Sequence, residues 1–278
     1  MSRWTRFCGD RFVETGEGMS ALALAGLGAM AVVTLMLVLW LIHFPMKNAA
    51  IVDGGWAGGL ALLAILYGTL AGGYGPRRIL IGLMGAVWGL RLSLYLLLTR
   101  VIGHPEEGRY VELRRKWVTN IPLKFLMFFE FQAVLCVLLS IPFLVAALNA
   151  DPHVSSLEWG AVLLWLVALA GEVAADQQLH MFKSDGSNKG RTCRLGLWNY
   201  SRHPNYFFEW LIWVSYALFA LASPHGWIAV CAPLLMLYFL FKVTGIPATE
   251  AQALRTKGDD YRRYQESTSV FIPWVKKG

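Results

Sequence analysis

Charge is scarce in this chain. Of its 278 residues only 15% are Asp, Glu, Lys or Arg while 56% are hydrophobic, against about 25% charged in an ordinary soluble domain. That deficit excludes a water-soluble globular protein. Cysteine is also sparse: Cys8, Cys136, Cys193 and Cys231 show no CxxC spacing, which excludes a disulfide framework and a zinc site, so no metal is expected. Internal repeats, low-complexity segments and long linkers are missing too. The economical organisation is a polar N-terminal arm over residues 1–19 and a single membrane domain over 20–278.

What the chain has instead is long apolar runs, from about Ala21 to Ile42, Ile51 to Leu70, Ile79 to Leu98, Leu123 to Leu148, Leu157 to Ala174, Phe207 to Ala222 and Trp227 to Val243. Each is long enough, or nearly so, to cross a hydrocarbon core of about 30 Å. Stretches such as LALLAILYG and PLLMLYFLF are apolar all round, unlike barrel strands, which alternate. An all-α bundle of about seven transmembrane helices follows. The first run comes after a polar arm and shows no small-residue cleavage site, so it is read as a membrane helix and not a signal peptide.

The formal net charge of +7 is a topology signal and not a nucleic-acid footprint. With seven spans, nineteen of the 25 Lys and Arg fall on the side that holds the C-terminus, and five (Arg3, Arg6, Arg11, Arg77, Arg78) on the other. The positive-inside rule puts the N-terminus outside and the C-terminus in the cytoplasm of a multi-pass protein, here of a bacterial inner membrane.

Polar chemistry concentrates between the fifth and sixth runs, in DQQLHMFKSDGSNKGRTCRLGLWNYSRHPNYFFEW from Asp176 to Trp210. Glu172, Asp176, His180 and Lys183 recur at helical spacing and share one face if the fifth helix continues past the membrane. The alternative is a solvated helix end laced with ion pairs. Ser201 is the expected cap of the sixth helix, with Pro204 in its first turn. Lys189, Arg191, Arg194 and Arg202 around that helix start make a phosphate-binding environment; anchoring to anionic lipid headgroups is the other account. Asn205 and Glu209 lie one turn apart just behind.

A second polar group sits in the N-terminal half. Asp53 opens the second run, and Trp88, Arg91 and Tyr95 form a stripe in the third. Arg91 lies deep in an apolar run, so it is expected to pair with Asp53, with Glu172 or with an anionic ligand. Glycines 54, 55, 58 and 59 permit close helix contact. The polar tail GDDYRRYQESTSVFIPW is expected either to dock back over a site, with Glu250, Tyr261, Arg262 and Tyr264 available to it, or to lie as an amphipathic anchor.

Gly196-Leu197-Trp198-Asn199-Tyr200-Ser201-Arg202-His203-Pro204-Asn205-Tyr206-Phe207, with Glu209, then Asp260-Tyr261-Arg262-Arg263-Tyr264 and Phe271-Ile272-Pro273-Trp274, resembles the steroid 5-alpha-reductase family. The likeness is to its uncharacterised bacterial branch, which Asp53-Gly54-Gly55-Trp56 and Trp88-Gly89-Leu90-Arg91-Leu92 also fit. The resemblance implies a seven-helix bundle with NADPH entering from the cytoplasm. It further implies hydride transfer to the β-carbon of an enone whose carbonyl is hydrogen-bonded by a protein acid. By that likeness Asp176, Lys183, Arg194, Tyr200, Asn205 and Glu209 fall near the cofactor, with Arg202 and His203 beside them. Asp53 stands where the family's glutamate would be and Trp88 where its tyrosine would be, with Tyr95 as a substitute, so these three are the candidate catalytic residues. The departure broadens the expected substrate to a steroid- or lipid-like enone taken from the bilayer. Membrane lipids are the other expected partners.

Two rivals accompany this expectation. One is an S-adenosylmethionine-dependent methyltransferase similar to isoprenylcysteine carboxyl methyltransferases, with a comparable RHP motif, an acid at Glu250 and the DDYRRY tail. The other is a non-catalytic lipid-binding membrane protein.

Overall fold

The computed structural model describes residues 19–243 and 245–276; the expected arm and Cys8 lie outside them. The described residues are mostly helical, with no strand among them beyond one bridge between Ser201 and Ser269. Six helical segments are long and apolar enough to cross a membrane: Ala21–Met46, Ile51–Leu70, Gly75–Val101, Ile121–Ala147, Ser156–Ser184 and Gly226–Lys257.

Local sequence explains where the helices begin and bend. Helix α1 (Ala21–Met46) is capped by the Ser20 hydroxyl, which accepts from Ala23 N–H. Helix α2 (Ile51–Leu70) runs antiparallel to α3 (Gly75–Leu96), whose last turn widens into a π-turn over Leu97–Val101. A short α4 (Gly108–Lys116) precedes the fourth apolar run. That run divides at Ser140 into α5 (Ile121–Leu139) and α6 (Ile141–Ala147), because Pro142 has no N–H to continue the ladder. Helix α7 (Ser156–Ser184) starts at a capping box between Ser155 and Glu158 and continues beyond its apolar part, as the spacing of its polar residues anticipates.

The sixth run forms α8 (Pro204–Leu221), shorter than α7 and polar at its start. Ser201 is not its cap. His203 occupies that position, while the buried Ser201 hydroxyl donates to the Phe271 carbonyl at 2.7 Å and accepts from His203 N–H. The last apolar run is α9 (Cys231–Tyr238), followed by a second π-turn over Phe239–Val243. Then come α10 (Ile246–Lys257) and α11 (Asp259–Ser267).

The bundle is apolar on both its inside and its outside. On α3, Ile81, Met84, Trp88 and Leu92 are buried while Leu83, Val87, Leu90 and Leu94 are exposed, two helical stripes of equal hydrophobicity that make sense only where the surrounding solvent is lipid. Helices α2 and α3 approach until a Cβ on Gly89 would stand 2.7 Å from the Ala57 carbonyl oxygen, the close contact that small residues permit. Gly55 faces Leu39 of α1, and Gly58 faces Ser93 of α3.

Polar ties close the two ends. At one end Arg77 of α3 is 1% exposed. It pairs with Glu158 of α7 and donates to the carbonyls of Asn149, Asp151 and His153. At the opposite end gather the start of α2, the π-turn after α3, α4, the end of α7, the start of α8, and helices α10 and α11.

Candidate functional site

Three helices contribute polar side chains to one point inside the bundle. The 3–4 spacing of Trp88, Arg91 and Tyr95 puts them on the inward face of α3. The fourfold spacing of Glu172 and Asp176 does the same on α7, as does that of Asn205 and Glu209 on α8. Arg91 forks between the two α7 acids: Nη1 pairs with Asp176 Oδ2 at 3.0 Å and Nη2 pairs with Glu172 Oε1. Trp88 Nε1 donates to Glu172 Oε2 at 3.2 Å, and Asn205 Nδ2 donates to Asp176 Oδ1 at 3.4 Å. The fork is the two-pronged recognition that a guanidinium suits best.

Burial makes the arrangement costly to disturb. Trp88 and Glu172 are 0% and 2% exposed, and Asp176 is 6% exposed. The Trp88 ring is fixed edge-on against Trp56, Trp213 and Tyr216, while Tyr216 accepts from Trp165 and donates to the Met84 carbonyl. One side of the cluster is therefore a rigid aromatic wall.

The other side keeps chemical capacity. Arg91 Nε is buried without a hydrogen-bond partner among the described residues. Neither the Glu209 carboxylate nor the Tyr95 hydroxyl has a side-chain or backbone partner there. Three acids and one guanidinium leave the cluster with free acceptors, which suit hydroxyl and amide donors or a cation.

The other candidate residues fall elsewhere. Asp53, at the start of α2, does not meet Arg91. Its Oδ1 accepts from the buried Tyr110 hydroxyl at 2.7 Å and its Oδ2 pairs with Arg109, both on α4. Both of its oxygens are already committed to protein donors, which suits positioning better than proton donation. Trp88 likewise has its indole N–H committed to Glu172. Of the three candidate catalytic residues, Tyr95 alone has a free polar atom beside the cluster.

The stripe on α7 divides. Glu172 and Asp176 are buried, whereas His180 and Lys183 emerge exposed from the bundle end. Arg194 and Arg202 do not stand free around the start of α8, because acids from the following segments hold them. Arg194 pairs with Asp260 at 3.1 Å and Arg202 with Glu250 at 2.8 Å. Glu250 Oε1 also meets His203 Nε2 at 3.3 Å, and its Oε2 accepts from Gln265 at 2.9 Å. His203 stacks flat on Tyr206, and burial holds its imidazole below the ordinary histidine range despite the opposing pull of Glu250. Tyr200 is exposed, its backbone carbonyl accepting from Trp274 N–H.

These contacts make a clasp. The Arg202 backbone N–H donates to Ser269, and the Tyr264 hydroxyl donates to the carbonyls of Trp198 and Ser201. Asp260 accepts from Thr192 N–H at 2.8 Å, with its carboxyl pulled down chiefly by the hydrogen bonds it receives there. Of the two expectations for the tail, the structure has it docked over the segment before α8. The residues sequence reasoning missed are the tail's acids, Asp260 and Glu250 as ion-pair partners, and the α4 pair Arg109 and Tyr110. Only the excess of unpaired arginines nearby could have pointed to the former.

Residues 39–268 match the family described as "Protein of unknown function (DUF1295)". An uncharacterized protein of Schizosaccharomyces pombe is 27% identical over 269 residues, covering 85% of this chain and 76% of its own length. No solved structure matches the chain.

Proposed function

The chain belongs to the DUF1295 family, which includes steroid 5-alpha-reductase-like proteins, and from that membership we propose a membrane-embedded, NADPH-dependent reductase. Its substrate is a lipid-like molecule with a C=C bond conjugated to a carbonyl. The observation that carries the reading is the Arg91, Glu172, Asp176 and Asn205 cluster joining α3, α7 and α8 inside an apolar bundle. Ionisable groups at such a depth mark a ligand site in membrane proteins. In this reading α8 is the seventh span, and the end rich in Lys and Arg faces the cytoplasm.

The free groups fit the nicotinamide half of the cofactor. Glu209 offers an acceptor to a ribose hydroxyl or the carboxamide, Asn205 offers its amide, and the carboxylates keep the phosphates away. NADPH supplies the hydride when bound. The protein's part is to orient and exclude water: the Trp56, Trp88, Trp213 and Tyr216 wall backs an apolar substrate entering from lipid. Tyr95 is the residue assigned to the carbonyl oxygen, where its hydroxyl would donate to the negative charge that hydride transfer would develop there.

One observation favours a second reading. Three carboxylates around one guanidinium also suit a sulfonium cation, as S-adenosylmethionine carries. The deciding experiment is equilibrium binding of NADPH and of S-adenosylmethionine to the purified protein. Selective NADPH binding supports the reductase, and selective S-adenosylmethionine binding replaces it with a methyltransferase. Binding of neither leaves the lipid-binding protein.

A further inference from the structure

We propose that the outer face of α5 is the contact surface for a second copy of this chain, with Glu130 at its centre. Glu130 is the exception among the acids of the six long apolar segments. Asp53 meets Arg109, Glu158 meets Arg77, Glu172 and Asp176 meet Arg91, and Glu250 meets Arg202. Glu130 has no ion-pair or hydrogen-bond partner among the described residues. It sits nine residues past the start of α5, about 14 Å along the axis, and so close to the middle of a hydrocarbon core of about 30 Å.

Helical spacing gives its direction. Phe125, Phe129, Ala133 and Cys136 make the buried stripe of α5; Phe129 packs beside His43 of α1, and the Cys136 thiol donates to the Trp56 carbonyl of α2. On the opposite side Leu123, Met127 and Val134 are 54%, 66% and 52% exposed. Glu130 falls three residues after Met127 and four before Val134, so it belongs to that outer stripe. From Leu123 through Met127 and Glu130 to Val134 the intervals are four, three and four. That is a heptad seam, the spacing at which two parallel helices interlock side chains, in membranes as in water.

The seam commits to an occupant. A carboxyl group turned to lipid tails is unfavourable until its polar atoms find a partner, and the residues around Glu130 on the stripe are apolar. The partner must therefore bring one polar group at the same depth on an otherwise apolar face. A second copy turned about a twofold axis along the membrane normal does this by symmetry, because each residue on the axis then faces itself. A neutral carboxyl carries one O–H donor and a carbonyl acceptor, so two of them facing each other satisfy both. A single polar residue in such a seam also fixes its register. The inference does not depend on the reductase reading.

The test follows the full chain, carrying one fluorophore, in liposomes diluted with excess lipid, where bleaching steps count the copies in each particle. Wild type and Glu130→Gln, whose amide is also donor and acceptor, should be paired at protein-to-lipid ratios where Glu130→Leu is single, a loss in association of about tenfold or more. The thermal midpoint of Glu130→Leu should be no lower than that of the parent. Disulfide trapping reads the interface with Glu130 in place. In a Cys8→Ser/Cys231→Ser background, Val134→Cys should cross-link two chains on oxidation, while Leu163→Cys, at an exposed position of α7, should not. Single copies of the wild type at every ratio overturn the proposal, as does pairing that Glu130→Leu leaves unchanged or that Val134→Cys fails to trap. Should Glu130→Leu not fold, the trapping result decides alone.

Discussion

Arg91 of α3 and Glu172 of α7 stand 81 positions apart in the chain, yet their guanidinium and carboxylate are in direct contact inside an apolar bundle. Neither group is stable there without the other. An unpaired charge at such depth costs far more than the pair gains over an apolar replacement.

Arg91→Met should therefore destabilise the folded protein by about 3–5 kcal/mol, because it strands two acids. Adding Glu172→Gln and Asp176→Asn to the same chain should restore much of that loss. Thermal unfolding in detergent reads both; a single variant as stable as the parent would contradict the pairing.

Asn205→Ala and Glu209→Ala should each weaken NADPH binding about tenfold or more while leaving the thermal midpoint nearly unchanged for Glu209→Ala, whose carboxylate has no partner to lose among the described residues. Equilibrium binding alongside melting separates the two effects. Retained NADPH affinity in both variants would count against the nicotinamide placement.

Tyr95→Phe removes a hydroxyl beside Arg91 that is uncommitted among the described residues. Turnover of an enone should fall by roughly 10²–10⁴-fold with NADPH binding intact. Asp53→Asn should instead loosen α4, measurable as faster proteolysis within 108–116, because Asp53 is held by Arg109 and Tyr110. If Asp53→Asn abolishes turnover with α4 still protected, the roles of the two residues reverse.

The clasp carries a pH signature. His203 is neutral when folded because burial depresses its pKa below the ordinary 6.5, so the unfolded chain binds the extra proton first. Its contribution to stability is complete above pH 6.5 and is lost as pH falls through the lower folded value. Comparing melting between pH 7.5 and 5 for the parent and for His203→Gln tests this: the parent should lose more stability on acidification.

The apolar runs were legible because lipid rewards hydrophobicity over whole helices, and Arg91's need for an acid followed from its depth alone. The partner of Asp53 was not legible, since Arg109 and Tyr110 reach it only through the path of the chain between α3 and α4. Ser201 looked like a cap because its local sequence fits one. The backbone pairing of Arg202 with Ser269 moves the helix start on to His203 and turns Ser201 toward Phe271. The basic stretch from Lys183 to Arg202 read as one surface, but acids at 250 and 260 split it, and ion pairs between residues so far apart in the chain leave no mark in local spacing.

The clasp also sets an order of events at the ribosome. Glu250, Asp260, Gln265 and Phe271 are synthesised after every apolar run, so Ser201, Arg202 and His203 wait without their partners while the earlier helices enter the membrane. The polar mouth of α8 is thus the last part of the molecule to take shape, and it does so in water, by docking, after insertion is over.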